Sequence, residues 1–144
     1  MHFVKCILVL ALFFNVSAFG QAPKKAIPVY LEEKPAVMVM VDQPQFVIKL
    51  KSNATTGFSW FLREYNSAII EPVSHEFEAP TDKKLMGAPG YELWTFRVKP
   101  NSFIVPQQTM IRFVYSRPWE IDDGSSQLVF KVTVAEAPKK AVKK

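Results

Sequence analysis

The sequence predicts an all-β fold, specifically an immunoglobulin-like antiparallel β-sandwich. From residue 37 onward, apolar and polar residues alternate in the period-two pattern of half-buried strands. The strand-like runs are short and rich in β-branched and aromatic residues, and segments containing Gly, Pro, Asn or Asp separate them. No window of useful length shows a helical period. Two packed sheets are therefore the expected architecture.

The predicted strands follow one another along the chain. Residues 37–41 form the first clear run, and in the next run Phe46, Ile48 and Leu50 share one face. A long polar loop is expected over 78–90, and a turn region over 100–106. The strands are 37–41, 46–51, 58–65, 91–98, 110–115 and 127–134, with a weaker extended pair over 69–77 that is interrupted at Pro72.

The first twenty residues have the features of a secretory signal peptide. Lys5 precedes a short apolar run over 7–14, and Ala18 and Gly20 place small residues at a cleavage site before Gln21. We expect export to a bacterial periplasm or to the outside of the cell. The apolar run is too short to span a bilayer, and no later segment is long enough to do so. The alternative is an anchor that stays attached to the mature chain.

Cys6 is the one cysteine of the chain, and it lies within the predicted signal peptide. The mature chain is therefore expected to contain no disulfide, no thiol nucleophile and no cysteine metal site, and to depend on its core for stability. The predicted parts are a signal peptide at 1–20, a lead segment at 21–36, one immunoglobulin-like domain at 37–136 and a basic flexible tail at 137–144.

The basic residues are concentrated at the ends of the chain. The sequence pI is about 9.4, yet residues 26–138 hold 11 Lys+Arg against 13 Asp+Glu, a net charge of −2. A nucleic-acid-binding domain needs its basic residues on its own surface, so nucleic acid is not an expected partner. The segment Ala-Pro-Lys-Lys-Ala occurs at 22–26 and again at 137–141. These copies are interpreted as solvated tails, with an electrostatic tether to an anionic surface as the alternative.

Signatures of catalysis are scarce. His2 belongs to the predicted signal peptide, and His75 has no second histidine with which to form a metal site. Its neighbour Ser74 lies in no Gly-x-Ser-x-Gly elbow, so His75 is interpreted as a solvated surface residue. The carboxylate pairs, Glu76 with Glu78 and Asp122 with Asp123, are interpreted as exposed. We expect no enzyme, no cofactor and no metal.

Three turn-like segments carry the functional information. Because every second connection in an antiparallel sandwich returns to the same end, these segments can form one continuous surface. In the first segment, Gly57 can take a positive φ and Asn53 can brace the turn, which leaves two stiff threonines with hydroxyls free to donate and accept hydrogen bonds. In the third, Trp119 is either an interface residue or a core residue. The segments are Asn53-Ala54-Thr55-Thr56-Gly57, Gly87-Ala88-Pro89-Gly90 and Arg117-Pro118-Trp119.

Together these segments resemble the chagasin-like inhibitors of papain-family cysteine proteases. That family carries Asn-Pro-Thr-Thr-Gly, Gly-x-Gly-Gly and Arg-Pro-Trp motifs, in this order, on loops at one end of an immunoglobulin-like domain. The third motif is unaltered here, whereas Ala54 replaces the first motif's proline and Pro89 replaces a glycine of the second. The resemblance covers roughly residues 37–135.

The resemblance implies a monomeric inhibitor that binds a papain-family protease through all three segments. Thr55 and Thr56 would lie over the catalytic Cys and His of the protease, while the other two loops hold the rims of its cleft. Trp119 would supply apolar area, and Arg117 a polar brace or partner contact. Ala54 in place of proline should cost a few tenths to about 1 kcal/mol of pre-organisation.

Two other functions stay open at the level of sequence. One is a secreted immunoglobulin-like adhesion or carbohydrate-binding module in which Trp119 stacks on a sugar. The other is a hydrolase that uses Glu or Asp. Inhibition of papain would favour the inhibitor, and retention on a sugar column would favour the module.

Overall fold

Alternating side chains and tight turns fold the chain into two sheets of four strands each. This computed structural model describes residues 25–81, 87–120 and 125–136. The predicted signal peptide and the predicted basic tail lie outside these residues. The strands are β1 (Val29–Leu31), β2 (Ala36–Met40), β3 (Gln45–Ser52), β4 (Ser59–Tyr65), β5 (Ile70–Glu78), β6 (Gly90–Val98), β7 (Gln107–Ser116) and β8 (Ser126–Ala135).

The sheets pack face to face, which confirms the predicted sandwich. One sheet has the strand order β1-β3-β6-β5, and the other has the order β2-β8-β7-β4. Pairing is antiparallel except at one edge of each sheet, where β1 runs parallel to β3 and β2 runs parallel to β8. The consecutive strands β1 and β2 join different sheets, so they do not pair with each other.

The core lies between the sheets and is built largely from aromatic rings. Phe46, Phe96, Phe113 and Phe130 are fully buried. Phe46 stacks on Phe96 with ring centroids 5.6 Å apart, and Phe113 meets Phe130 edge to face at 6.2 Å. The predicted inward face of β3 is confirmed, because its alternate apolar residues are all buried. This cysteine-free domain is stabilised by burying apolar area from both sheets.

Two segments differ from the sequence prediction. The extended pair predicted over 69–77 is one strand, β5 (Ile70–Glu78), because the shift in register between Pro72 and Ser74 is absorbed as a bulge. The proline is tolerated because β5 is an edge strand of its sheet. The predicted turn region over 100–106 is confirmed, because Pro100–Phe103 form a 3-10 turn that buries Phe103. The strand β1 was not predicted at all.

The described residues contain neither a helix that is long and apolar enough to cross a membrane nor a cluster of three or more metal-ligating side chains.

One titratable group with a shifted pKa lies at the end of the sandwich where β3 begins. Lys25 lowers the pKa of the exposed Asp42 through a hydrogen bond of 2.9 Å.

Candidate functional site

Three connections between strands meet at one end of the sandwich. Loop 1 (residues 53–58) joins β3 to β4, loop 2 (79–89) joins β5 to β6, and loop 3 (117–125) joins β7 to β8. Because consecutive strands reverse direction, every second connection lies at the same end. Residues 82–86 and 121–124 of loops 2 and 3 lie outside the described residues.

Loop 1 is a short 3-10 turn held by its own polar groups. The side-chain oxygen Oδ1 of Asn53 accepts hydrogen bonds from the backbone N–H of Thr55 at 3.2 Å and from its hydroxyl at 2.7 Å. Gly57 ends the turn with a φ of 75°, in the left-handed region that glycine adopts without strain. The predicted brace at Asn53 and the predicted positive φ at Gly57 are therefore confirmed.

The two threonines differ from the prediction in their hydrogen bonding. The hydroxyl of Thr55 donates to the Asn53 side chain, and the hydroxyl of Thr56 donates to the Asn53 carbonyl oxygen at 2.7 Å. The expectation that both hydroxyls are free to donate is therefore wrong. Both residues are exposed, and what they offer a partner is oxygen lone pairs and methyl groups on a closed turn.

Loop 1 is joined to both of its neighbours. The Asn53 side-chain amide donates to the Gly87 carbonyl oxygen of loop 2 at 3.2 Å. On the other side, Nε of Arg117 in loop 3 donates to the Thr56 carbonyl oxygen at 3.3 Å. These bonds make the three loops one connected surface with loop 1 at its centre.

Aromatic rings support loop 1 from below. Its first residue, Asn53, donates its backbone N–H to the Tyr115 hydroxyl at 3.0 Å. At its other end, the Phe58 ring stacks on Tyr115 with centroids 5.3 Å apart, and the Arg117 guanidinium lies 4.6 Å from the Phe58 ring centre. Neither Phe58 nor Tyr115 is among the site residues predicted from the sequence. The available signal was an aromatic residue directly after the first motif and another two residues before the third.

Trp119 and Arg117 have different roles in loop 3. Trp119 is 71% exposed, which excludes the core alternative that the sequence left open. Its ring edge approaches loop 1 and lies 3.5 Å from the position of a Cβ atom built on Gly57. Arg117 is half-buried and also bonds Glu120 through Nη1 at 2.9 Å. It is therefore an internal brace, and Trp119 is the large apolar side chain offered to a partner.

The two glycines of loop 2 also differ from each other. Gly87 is exposed with a φ of 83°, and nothing lies within 4 Å of a Cβ atom built there. Gly90 is buried at the start of β6, where a Cβ atom would stand 2.5 Å from the Glu78 carbonyl oxygen and 2.6 Å from the Phe77 ring. Because Gly90 has no side chain, β5 and β6 can pack closely here, and the residue exposes no surface to solvent.

The structure brings the predicted site residues to one end of the sandwich, where they differ in how exposed they are. Three are half-buried, namely Asn53, Ala88 and Arg117, and Gly90 is buried. The exposed ones are Ala54, Thr55, Thr56, Gly57, Gly87, Pro89, Pro118 and Trp119.

His75 is not simply the solvated surface residue that the sequence suggested. Its side chain is 44% exposed, yet its Nε2 lies 2.9 Å from Oε2 of the buried Glu92. Its ring stacks on Trp94 with centroids 3.9 Å apart. Glu76 and Glu78 are exposed on β5, as expected.

The described residues of loops 1, 2 and 3 thus form one hydrogen-bonded end of an immunoglobulin-like sandwich. Residues 40–134 match the model of the chagasin family peptidase inhibitor I42. The chain therefore belongs to the chagasin family of peptidase inhibitors, and it is an inhibitor and not an enzyme. No curated protein sequence matches the chain.

Solved structures of three proteins are similar to this fold. The cysteine protease inhibitor EhICP2 from Entamoeba histolytica superposes with a TM-score of 0.61 at 21% identity, covering 75% of this chain and 95% of the other. Amebosin gives a TM-score of 0.58 at 20% identity, with coverages of 76% and 98%. PbICP-C, solved in complex with falcipain-2, gives 0.54 at 18% identity, with coverages of 76% and 92%. At these identities the likeness concerns the fold.

Proposed function

We propose that the chain is an exported inhibitor of papain-family cysteine proteases that blocks the active-site cleft with three loops. The observation that carries the proposal is the bonding of loops 1, 2 and 3 into one end, with Trp119 exposed beside the tip of loop 1. The names of two similar proteins support the target class, since EhICP2 is a cysteine protease inhibitor and PbICP-C was solved with falcipain-2.

In this proposal loop 1 enters the cleft and covers the catalytic Cys and His of the protease. Loop 1 is a 3-10 turn held by hydrogen bonds to Asn53, so it presents no extended peptide bond to the catalytic thiolate. Cleavage would require the thiolate to approach a peptide carbonyl carbon in an aligned geometry. The loop therefore occupies the centre without being cleaved. Pro89 of loop 2 and Trp119 of loop 3 contact opposite rims.

The hydrogen bonds that hold loop 1 to its neighbours would allow a small tip to bind tightly. A loop that is already ordered loses little conformational entropy when it docks. Here Asn53 and Arg117 hold loop 1 before any partner arrives. This bracing offsets the loss of the family's proline at position 54.

The test is titration of papain with the purified mature chain while a fluorogenic peptide reports activity. We expect reversible inhibition with one inhibitor per protease. Lys131→Ala, on the exposed face of β8, is the matched control and should inhibit like the parent chain. Full papain activity at a large excess of inhibitor would contradict the proposal.

The exposed indole of Trp119 also suits the second candidate, a secreted adhesion or carbohydrate-binding module, because a flat ring can stack on a sugar. Retention on sugar columns without any inhibition of papain would favour that module.

Export without N-glycosylation is part of the proposal. The segment Asn53-Ala54-Thr55 is an open acceptor sequence for Asn-linked glycans, which the family's usual proline would block. The Asn53 side-chain amide faces loop 2, so a glycan there would stand between two loops that must reach the protease. We infer that the host exports the chain through a compartment without this machinery, such as a bacterial periplasm.

A glycan on Asn53 is expected to abolish inhibition. The chain is expressed through a glycosylating secretory pathway, and mass spectrometry separates the molecules that carry a glycan from those that do not. The control is the same chain taken from a bacterial periplasm, which should inhibit papain fully. Full inhibition by protein shown to carry the glycan would mean that loop 1 does not enter the cleft.

A further inference from the structure

A buried carboxylate lies beneath loop 1, at a position where the strand pattern calls for an apolar residue. The inward face of β6 carries Glu92, Trp94, Phe96 and Val98, and Glu92 is only 3% exposed. Burying a charged carboxylate is unfavourable unless hydrogen bonds replace its water. Its contacts therefore indicate why this position holds an acid.

Glu92 bonds one strand from each sheet. Its Oε1 accepts a hydrogen bond of 3.0 Å from the backbone N–H of Trp60 on β4. Its Oε2 lies 2.9 Å from Nε2 of His75 on β5. The His75 ring also stacks on Trp94 at an interplanar angle of 17°, which fixes the orientation of the ring.

Trp60 transmits this contact to both ends of loop 1. The strand β4 is an outer strand and pairs only with β7, so an N–H that points away from β7 needs a partner from elsewhere. Glu92 provides that partner. The indole Nε1 of Trp60 also donates to the Lys51 carbonyl oxygen at 2.9 Å. Since Lys51 precedes loop 1 and Trp60 follows it, one side chain connects the two stems.

We propose that Glu92 and His75 are positioning residues that hold loop 1 in its inhibitory orientation. The proposal rests on the proposed function, in which loop 1 is the segment that enters the cleft. Glu92 fixes β4 to the opposite sheet through Trp60, and His75 fixes the carboxylate. Neither residue needs to touch the protease.

Four variants separate positioning from general stability. Glu92→Ala removes both acceptors, whereas Glu92→Gln keeps an oxygen for Trp60 and an amide N–H for His75. His75→Phe retains a ring over Trp94 and removes the hydrogen bond alone. Val98→Ala truncates a buried residue of the same strand at the end away from the loops.

Inhibition of papain is measured well below the melting temperature of every variant. Glu92→Ala should weaken inhibition by about tenfold, because the Trp60 N–H is left without a partner. Glu92→Gln should stay within about twofold of the parent chain. His75→Phe should lose less than Glu92→Ala, and Val98→Ala should lower the melting temperature without weakening inhibition.

Amide hydrogen exchange provides a readout that does not depend on the protease. In Glu92→Ala the amides of Gly57, Phe58 and Trp60 should exchange faster, while the β7–β8 pair of Ile111 and Phe130 keeps its protection. If the parent chain does not inhibit papain, the proposed function fails, and this exchange pattern still decides whether Glu92 orders loop 1.

Two outcomes would overturn the inference. One is folded Glu92→Ala that inhibits as tightly as the parent chain. The other is Val98→Ala losing as much inhibition as Glu92→Ala at an equal loss of melting temperature. If Glu92→Ala does not fold, His75→Phe takes its place in the test. Unchanged inhibition and unchanged exchange of the loop 1 amides in His75→Phe would then mean that the His75–Glu92 pair does not position loop 1.

Discussion

Replacing Trp119 by alanine is expected to weaken inhibition of papain by about 2 kcal/mol or more, which is about thirtyfold. The indole is 71% exposed in the free chain, so its apolar area becomes buried only when a partner covers it. For the same reason the melting temperature should hardly change. The measurement is the inhibition constant together with a thermal unfolding curve for each protein.

Ile104→Ala is the matched control for the Trp119 experiment. Ile104 is a large apolar residue that is 77% exposed, and it lies in the connection between β6 and β7, at the end opposite to the three loops. This control should keep both its inhibition and its stability. A Trp119→Ala protein that loses stability but keeps its inhibition constant would exclude the interface role.

Replacing Gly90 by alanine is expected to destabilise the fold by about 1–3 kcal/mol, as overpacking of a filled site does. The new Cβ atom would stand 2.5 Å from the Glu78 carbonyl oxygen, which is backbone and cannot rotate away. The melting temperature should fall by roughly 4–20 °C. Loop 2 begins at the β5–β6 pairs that this clash would separate, so inhibition should weaken as well.

Gly87→Ala separates steric from conformational effects in the same loop. Its Cβ atom would meet no neighbour, but its φ of 83° would be strained, a cost of about 1–2 kcal/mol unless the exposed loop relaxes. The backbone at the exposed Gly87 can shift to relieve this strain, whereas the backbone at the buried Gly90 cannot. A Gly90→Ala protein that melts at the same temperature as the parent chain would mean that β5 and β6 are spaced differently from this structure.

Much of the fold could be predicted because the burial of a strand face constrains the type of each residue on that face. Most inward residues of β3 and β6 are apolar, so the alternation of apolar and polar residues reveals these strands. Pairing partners are a property of distant segments, and the parallel pairs β1–β3 and β2–β8 leave no local pattern. Glu92 illustrates the same limit, because its bonds to Trp60 and His75 exist only after both sheets have formed.

The site was predictable where a turn depends on its own residues. Asn53 and Gly57 act within one short turn, so the sequence already indicates their roles. The exposure of Trp119 and the burial of Gly90 depend on other segments, such as Phe77 for Gly90. The hydrogen bonds that the Thr55 and Thr56 hydroxyls donate depend on the 3-10 geometry of loop 1, whereas the sequence indicates only a turn.

The most direct test of the three-loop mechanism is protection of the catalytic cysteine of papain from alkylation by iodoacetamide. Protein that begins at Gln21 is suited to this measurement because it contains no cysteine, since Cys6 is the one cysteine of the full sequence. Papain is mixed with an equal amount of inhibitor, and intact mass spectrometry follows the modified fraction over time. The account predicts that the complex is alkylated far more slowly than free papain and that Trp119→Ala restores much of the rate. Alkylation at the rate of free papain, while the complex remains intact, would contradict it.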